Sequence, residues 1–252
     1  MMEQRRADRM KILGIDMDKI RVDRALNLTS RYLDKIKLEY IAFVNTPSAL
    51  AGHEKEEFID LMEQAALVLP GDNNIEDALD IHTWMEEETS YQAEYFRRLL
   101  GRLNRQRASV FLMMEKETEL EQLKRMFERK YEKIHLEYAI WQTEENVDAI
   151  VNDINIQAPD LLLICGTYDR ICAFVKEHGC KINAGVCALM GSIMSDEGEA
   201  VPNWVEQFHL VKLYTLFYKK PMHFWHDRLF RQIMKKNQGQ PEEDSVQDDE
   251  KC

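Results

Sequence analysis

Two stretches decide the fold: residues 40–50, YIAFVNTPSAL, and residues 61–74, LMEQAALVLPGDNN. Each carries an apolar run that breaks into a polar turn. The first turn is Asn45-Thr46-Pro47-Ser48; the second is Pro70-Gly71-Asp72-Asn73-Asn74. The span between them, 48–64, predicts a helix with Leu50, Phe58, Ile59 and Met62 on its buried side. Strand, turn, helix, strand, turn is a unit of an open α/β sheet, and ligands of such sheets sit beyond the strand ends. The two turns are therefore the first place to look for a site.

The same alternation continues outward. Residues 11–20 predict an edge strand or hairpin, and 22–37 an amphipathic helix through Val22, Leu26, Leu33 and Ile36. Downstream, helices are predicted over 74–79, 91–105, 118–131, 144–153 and 170–177. Strands are predicted over 109–113, 134–140, 160–165 and 182–190, with a polar connector over 81–89. The central strands, such as DLLLIC at 160–165, are unbroken apolar runs with no two-residue alternation. Strands of that kind are buried on both faces. The expected class is α/β: a Rossmann-like, mostly parallel sheet with helices on both faces.

Residues 11–198 form the expected core. Residues 199–236 crowd Trp204, Phe208, Tyr214, Phe217, Phe224 and Trp225 among lysines and arginines. They predict a C-terminal helical appendage that packs on the core, meets another subunit in a homo-oligomer, or lies on an anionic membrane surface. Residues 237–252 lack apolar periodicity and read as a disordered acidic tail.

The formal charge of −12 argues against a general nucleic-acid binder. The five cysteines form no close CxxC pair, and the charged start has no apolar segment. A cytoplasmic chain with buried free thiols is expected. No run is long enough to span a bilayer. GxGxxG after a strand, GxxxxGK[ST], HExxH and a serine-hydrolase elbow are all absent. His82 reads as a surface residue and His135 as half-buried. His223 and His226 lack a third metal ligand, so no metal site is expected.

Turn residues are better candidates. Asp72 follows a strand beside Gly71, Asn73 and Asn74. It either caps the next helix or acts as a base. Thr46, between Asn45 and Ser48, either holds its turn or binds a phosphate or sugar. Gly166-Thr167-Tyr168-Asp169 and Gly191-Ser192 follow two later strands and complete four candidate strand ends.

These stretches together resemble the WecG/TagA/CpsF family of bacterial glycosyltransferases. The resemblance runs from about residue 11 to 235. It is carried by KILGIDMDKI, FVNTPSAL, LMEQAALVLPGD, APDLLLICG and the segment INAGVCALMGSIMSDEGEAVPNWVEQFHLVKLY. It implies transfer of N-acetylmannosamine or a related sugar from a UDP donor to a polyprenyl-diphosphate-linked acceptor. That chemistry belongs to the cytoplasmic face of the membrane, in cell-envelope polysaccharide synthesis such as that of teichoic acid. It implies neither metal nor cofactor, with the UDP-sugar as donor substrate. Asp72 becomes the implied base and Thr46 a positioning group. Asn45, Ser48, Gly71, Asn73, Gly166, Thr167, Asp169 and Gly191 become implied substrate contacts.

The chain departs from the family pattern at several positions. Pro-Asp-Gly reads Pro70-Gly71-Asp72, and Thr-Pro-Asn reads Thr46-Pro47-Ser48. Glycines after the middle strand are replaced by Met113-Met114-Glu115. Pro-Lys-Gln-Glu is replaced near Tyr168-Asp169-Arg170-Ile171. Arginines suited to a diphosphate are missing at the matching positions of the appendage, where Lys212, Lys219 and Lys220 stand as substitutes for diphosphate or membrane contact. A transferase-like protein without catalysis, binding a sugar nucleotide or a partner, is the rival expectation.

Overall fold

The chain begins with a hairpin, β1 (Arg9–Ile12) and β2 (Ile15–Asp18), joined by Leu13 and Gly14. Both turn residues have positive φ, 50° and 79°, the backbone that a two-residue hairpin turn requires. The structure, a computed structural model, describes residues 9–35, 37–81, 89–141, 146–191, 228–231 and 234. Asp18, buried at the end of β2, accepts a hydrogen bond from the Val68 N–H at 2.8 Å. The hairpin is thereby tied to the edge of the main sheet, where an unpaired strand would otherwise invite association.

The remaining elements alternate. They are α1 (Val22–Leu33), β3 (Glu39–Val44), α2 (Thr46–Gly52), α3 (Glu56–Gln64), β4 (Leu67–Pro70), α4 (Asn73–Ala78) and α5 (Tyr91–Gln106). Then come β5 (Ser109–Met114), α6 (Glu117–Lys130), β6 (His135–Ile140), α7 (Val147–Gln157), β7 (Leu161–Gly166), α8 (Tyr168–His178) and β8 (Val186–Gly191). Six strands pair in the order β4-β3-β8-β7-β5-β6, parallel at every pairing. The protein is an α/β fold with one parallel sheet, helices on both faces, and a separate antiparallel hairpin.

Two expectations are corrected. The single helix expected over 48–64 is two, α2 and α3, separated at residues 53–55. Gly52 explains the break: a Cβ there would lie 2.5 Å from the Phe58 ring. The bare backbone lets Phe58 fold back over the end of α2 and meet Tyr168 edge-on at 5.1 Å. The last strand begins at Val186 rather than at residue 182. A 3-10 turn, Gly179–Lys181, carries the chain to Gly185, whose N–H bonds the Pro159 carbonyl.

Strands β4, β7 and most of β5 and β8 are buried throughout, as continuous apolar runs predict. His135, expected half-buried, is exposed, because it opens the edge strand β6. The polar connector over 81–89 lies outside the described residues apart from Ile81 and Thr89. The appendage over 199–236 does too, apart from 228–231 and 234, where Phe230 is buried in the core and Met234 packs against it. His82, His223, His226 and the tail over 237–252 also lie outside.

Candidate functional site

Because all six strands run the same way, their carboxyl ends line one edge of the sheet. The connections leaving β3 and β7 lead towards β4; those leaving β4 and β5 lead the other way. Right-handed crossovers place the helices after β3 and β7 on one face and those after β4 and β5 on the other. Neighbours β3 and β4, and neighbours β7 and β5, therefore send the chain to opposite faces. A crevice opens between the strand ends at each of these two points.

The β3–β4 crevice gathers the first candidates. Asp72 is the N-cap of α4, and its Oδ1 accepts from the Ile75 N–H at 3.1 Å. The same carboxylate crosses the crevice. Oδ2 accepts from the Thr46 N–H at 2.6 Å, and Oδ1 from the Thr46 hydroxyl at 3.0 Å. Thr46 is only 2% exposed, and its Oγ1 also accepts from Asn74 Nδ2 at 3.3 Å. Its hydroxyl thus orients Asp72. Gly71 permits the approach: a Cβ there would lie 3.0 Å from the Val44 carbonyl carbon and 3.1 Å from the Asn45 nitrogen. Asn73 is exposed on the first turn of α4.

Beside this crevice, at the end of β8, Asn45 caps α2 by accepting from the Ser48 N–H at 3.0 Å and from the Ser48 hydroxyl. Gly191 closes the group; a Cβ on it would stand 2.9 Å from Ser48 Oγ and 3.1 Å from Asn45 Nδ2. Thr46, Asp72, Asn45, Ser48, Gly71 and Gly191 thus share one stretch of the sheet edge.

Gly166 and Thr167 belong to the second crevice, between β7 and β5. There Glu115, the first residue past β5, accepts from the Thr167 N–H at 2.7 Å on Oε2. On Oε1 it accepts from Arg170 Nη1 at 3.1 Å. Arg170 also donates to the Trp141 carbonyl at 3.0 Å and lies over the Trp141 ring at 4.4 Å. Asp169 faces elsewhere: both its oxygens accept from Lys55 Nζ, at 2.7 and 2.8 Å, linking the starts of α3 and α8. Lys212, Lys219 and Lys220 lie outside the described residues.

Tyr168 holds the two crevices in fixed relation. From the first residue of α8 its hydroxyl donates to the Phe43 carbonyl at 2.7 Å. Burial pushes its pKa far up, so the phenol stays a donor. The thiols of Cys165 and Cys187 are buried within strands and are likewise pushed up by burial. Cys172 rises to about 11, through burial first and then the neighbouring Asp169 and Glu57. Cys180 is exposed. Among the described residues no group of three or more His, Cys, Asp or Glu is placed to hold a metal ion. None of the described helices is long and apolar enough to cross a membrane.

Two concavities, of about 650 and 400 Å³, lie along the groove between α3 and α8, lined by Tyr40, Glu57, Cys172 and Lys176 among others. Neither is lined by Asp72, Thr46 or Glu115, whereas Asp169 lines the smaller one.

Sequence reasoning singled out neither Asn74 nor Trp141 as a site residue, and treated Glu115 and Arg170 only as departures. An acid directly after a central strand was the available signal for Glu115. Nothing local ties it to Arg170, 55 residues away.

A parallel α/β sheet with polar groups at its switch points is the setting of many nucleotide and sugar-nucleotide enzymes, and comparison narrows the class. The sequence profile of the glycosyl transferase WecG/TagA/CpsF family matches residues 10–235. The chain belongs to that family. No curated protein sequence matches it.

Proposed function

We propose that the protein transfers a hexosamine-type sugar from a UDP donor to a polyprenyl-diphosphate-linked acceptor, with the reaction at the β3–β4 crevice of a Rossmann-like core. One observation carries this reading: Asp72 spans the crevice and is oriented there by Thr46. A carboxylate offers about four lone-pair sites. Three are taken here by Ile75 N–H, Thr46 N–H and Thr46 Oγ1, which leaves one on Oδ2 for an acceptor hydroxyl.

The acceptor oxygen forms its bond to the anomeric carbon as the bond from that carbon to the donor phosphate breaks. The hydroxyl proton passes to Asp72, and UDP leaves with the bonding pair. Asn45, Ser48 and Gly191 line the adjoining strand end, where the donor sugar would lie. Lys212, Lys219 and Lys220 are the cations assigned to the leaving diphosphate or to lipid. The acceptor places the reaction at the cytoplasmic face of a membrane, in cell-envelope polysaccharide synthesis in a bacterium.

A second reading is a catalytically silent member of the family that binds a sugar nucleotide or a partner protein. It is supported by the hydrogen bonds from Ile75 and Thr46 together, which commit most of the Asp72 carboxylate to the chain itself. Calorimetric titration with UDP-N-acetylhexosamines tests the sugar-nucleotide site: saturable binding is expected, and its absence would remove the transferase reading and leave only partner binding. Turnover with a lipid-linked acceptor then selects the first reading over the second.

A further inference from the structure

Thr46 orients Asp72, and a third residue orients Thr46. An ionised carboxylate has no proton to give, so in the 3.0 Å contact between Thr46 Oγ1 and Asp72 Oδ1 the hydroxyl donates. A hydroxyl carries one proton. Its other polar partner must therefore donate to it. Asn74, two residues past Asp72 in the first turn of α4, does so from Nδ2 at 3.3 Å. The Asn74 amide has an accepting and a donating end, and only the donating end fits here. Thr46 is 2% exposed, so its hydroxyl is set by these neighbours and not by bulk water. Oδ1 of Asp72 is then filled by the Thr46 hydroxyl and the Ile75 N–H. Among the described residues Oδ2 takes only the Thr46 N–H.

We propose that Asn74 is a positioning residue for the transfer: by donating to Thr46 it locks the hydroxyl onto Asp72 Oδ1 and reserves Oδ2 for the acceptor's proton. The inference rests on the transferase reading above and adds the residue that selects the basic oxygen. With Asn74 in place, one lone pair of Thr46 Oγ1 faces an N–H and the hydroxyl proton faces Asp72. Without Asn74 the hydroxyl is free to turn. It then leaves Oδ1 open as a second destination, or donates to the acceptor oxygen and ties up the lone pair needed for attack. In the transfer the acceptor O–H bond breaks to Oδ2 while that oxygen bonds the anomeric carbon. The bond from the anomeric carbon to the donor phosphate breaks, and UDP keeps its electron pair. Asn74 acts on this step through Thr46, so its loss falls on turnover and not on donor affinity.

The test is a double-mutant cycle on the full chain, with a UDP-N-acetylhexosamine and a polyprenyl-diphosphate-linked acceptor. N74A is expected to lower kcat about tenfold and to leave the donor Kd within about twofold. T46V removes the hydroxyl, and in that background N74A should change kcat by less than about twofold. A side chain that only fills space would cost the same in both backgrounds. If N74A does not fold, N74L, close in shape and without a donor, takes its place under the same criterion. Wild-type kcat in the folded Asn74 variant, or an undiminished loss in the T46V background, would overturn the proposal while transfer by the wild type stands. No transfer by the wild type would remove the transferase reading, and this role with it.

Discussion

The two crevices solve the same problem with different charges. In each, a carboxylate just past one strand reaches a backbone N–H just past its neighbour, and a glycine clears the way. Among the described residues Asp72 meets neutral donors, two N–H groups and a hydroxyl. Glu115 meets a guanidinium as well as an N–H. Hydrogen bonds hold and orient Asp72, and none of its partners among the described residues is a cation. The charge of Glu115 is neutralised within the chain. Position at a strand end therefore does not decide whether a carboxylate is available for chemistry; its partners do.

The glycines break this comparison most severely. A valine at Gly71 would press on the Val44 and Asn45 backbone, which cannot yield. G71V should lower unfolding stability by about 3 kcal/mol in urea titration, the upper range for overpacking. At Gly166 the obstacle is the far end of the Glu115 side chain, which can swing away. G166A should cost only about 1 kcal/mol, and equal losses at the two glycines would contradict the account of the crevices.

Removing the Asp72 carboxylate comes next. D72A loses the cap of α4 and leaves the Thr46 N–H without its acceptor, about 2 kcal/mol together by thermal or urea unfolding. D72N keeps a capping oxygen and should cost about half as much. The smallest effect belongs to Lys55 and Asp169. Their ion pair is exposed, so K55A should change stability by no more than about 0.5 kcal/mol and leave UDP-sugar affinity unchanged. A loss of affinity in K55A would bring Asp169 back into the site.

Much of this was legible in the chain. Unbroken apolar runs such as 160–165 announced buried parallel strands, because only strands covered on both faces need no polar side. The polar stretches at 45–48 and 70–74 announced strand ends, because Asn45 and Asp72 cap helices that start directly after the strands. The break between α2 and α3 was hidden, since it depends on Phe58 packing onto Gly52 and Tyr168, contacts outside local periodicity. For Asp72 the sequence left cap and base as alternatives. The cap is present, and the same carboxylate crosses to Thr46, 26 residues earlier, which spacing along the chain could not reveal. The Glu115–Arg170 pair was illegible for the same reason: topology, not sequence distance, brings β5 beside β7.

The most direct measurement is single-turnover transfer from a UDP-N-acetylhexosamine to a polyprenyl-diphosphate-linked acceptor, compared between wild type and D72N at matched donor occupancy. The account predicts transfer by the wild type and a fall of at least about a hundredfold in D72N, with donor affinity retained. Transfer by D72N at the wild-type rate would contradict it.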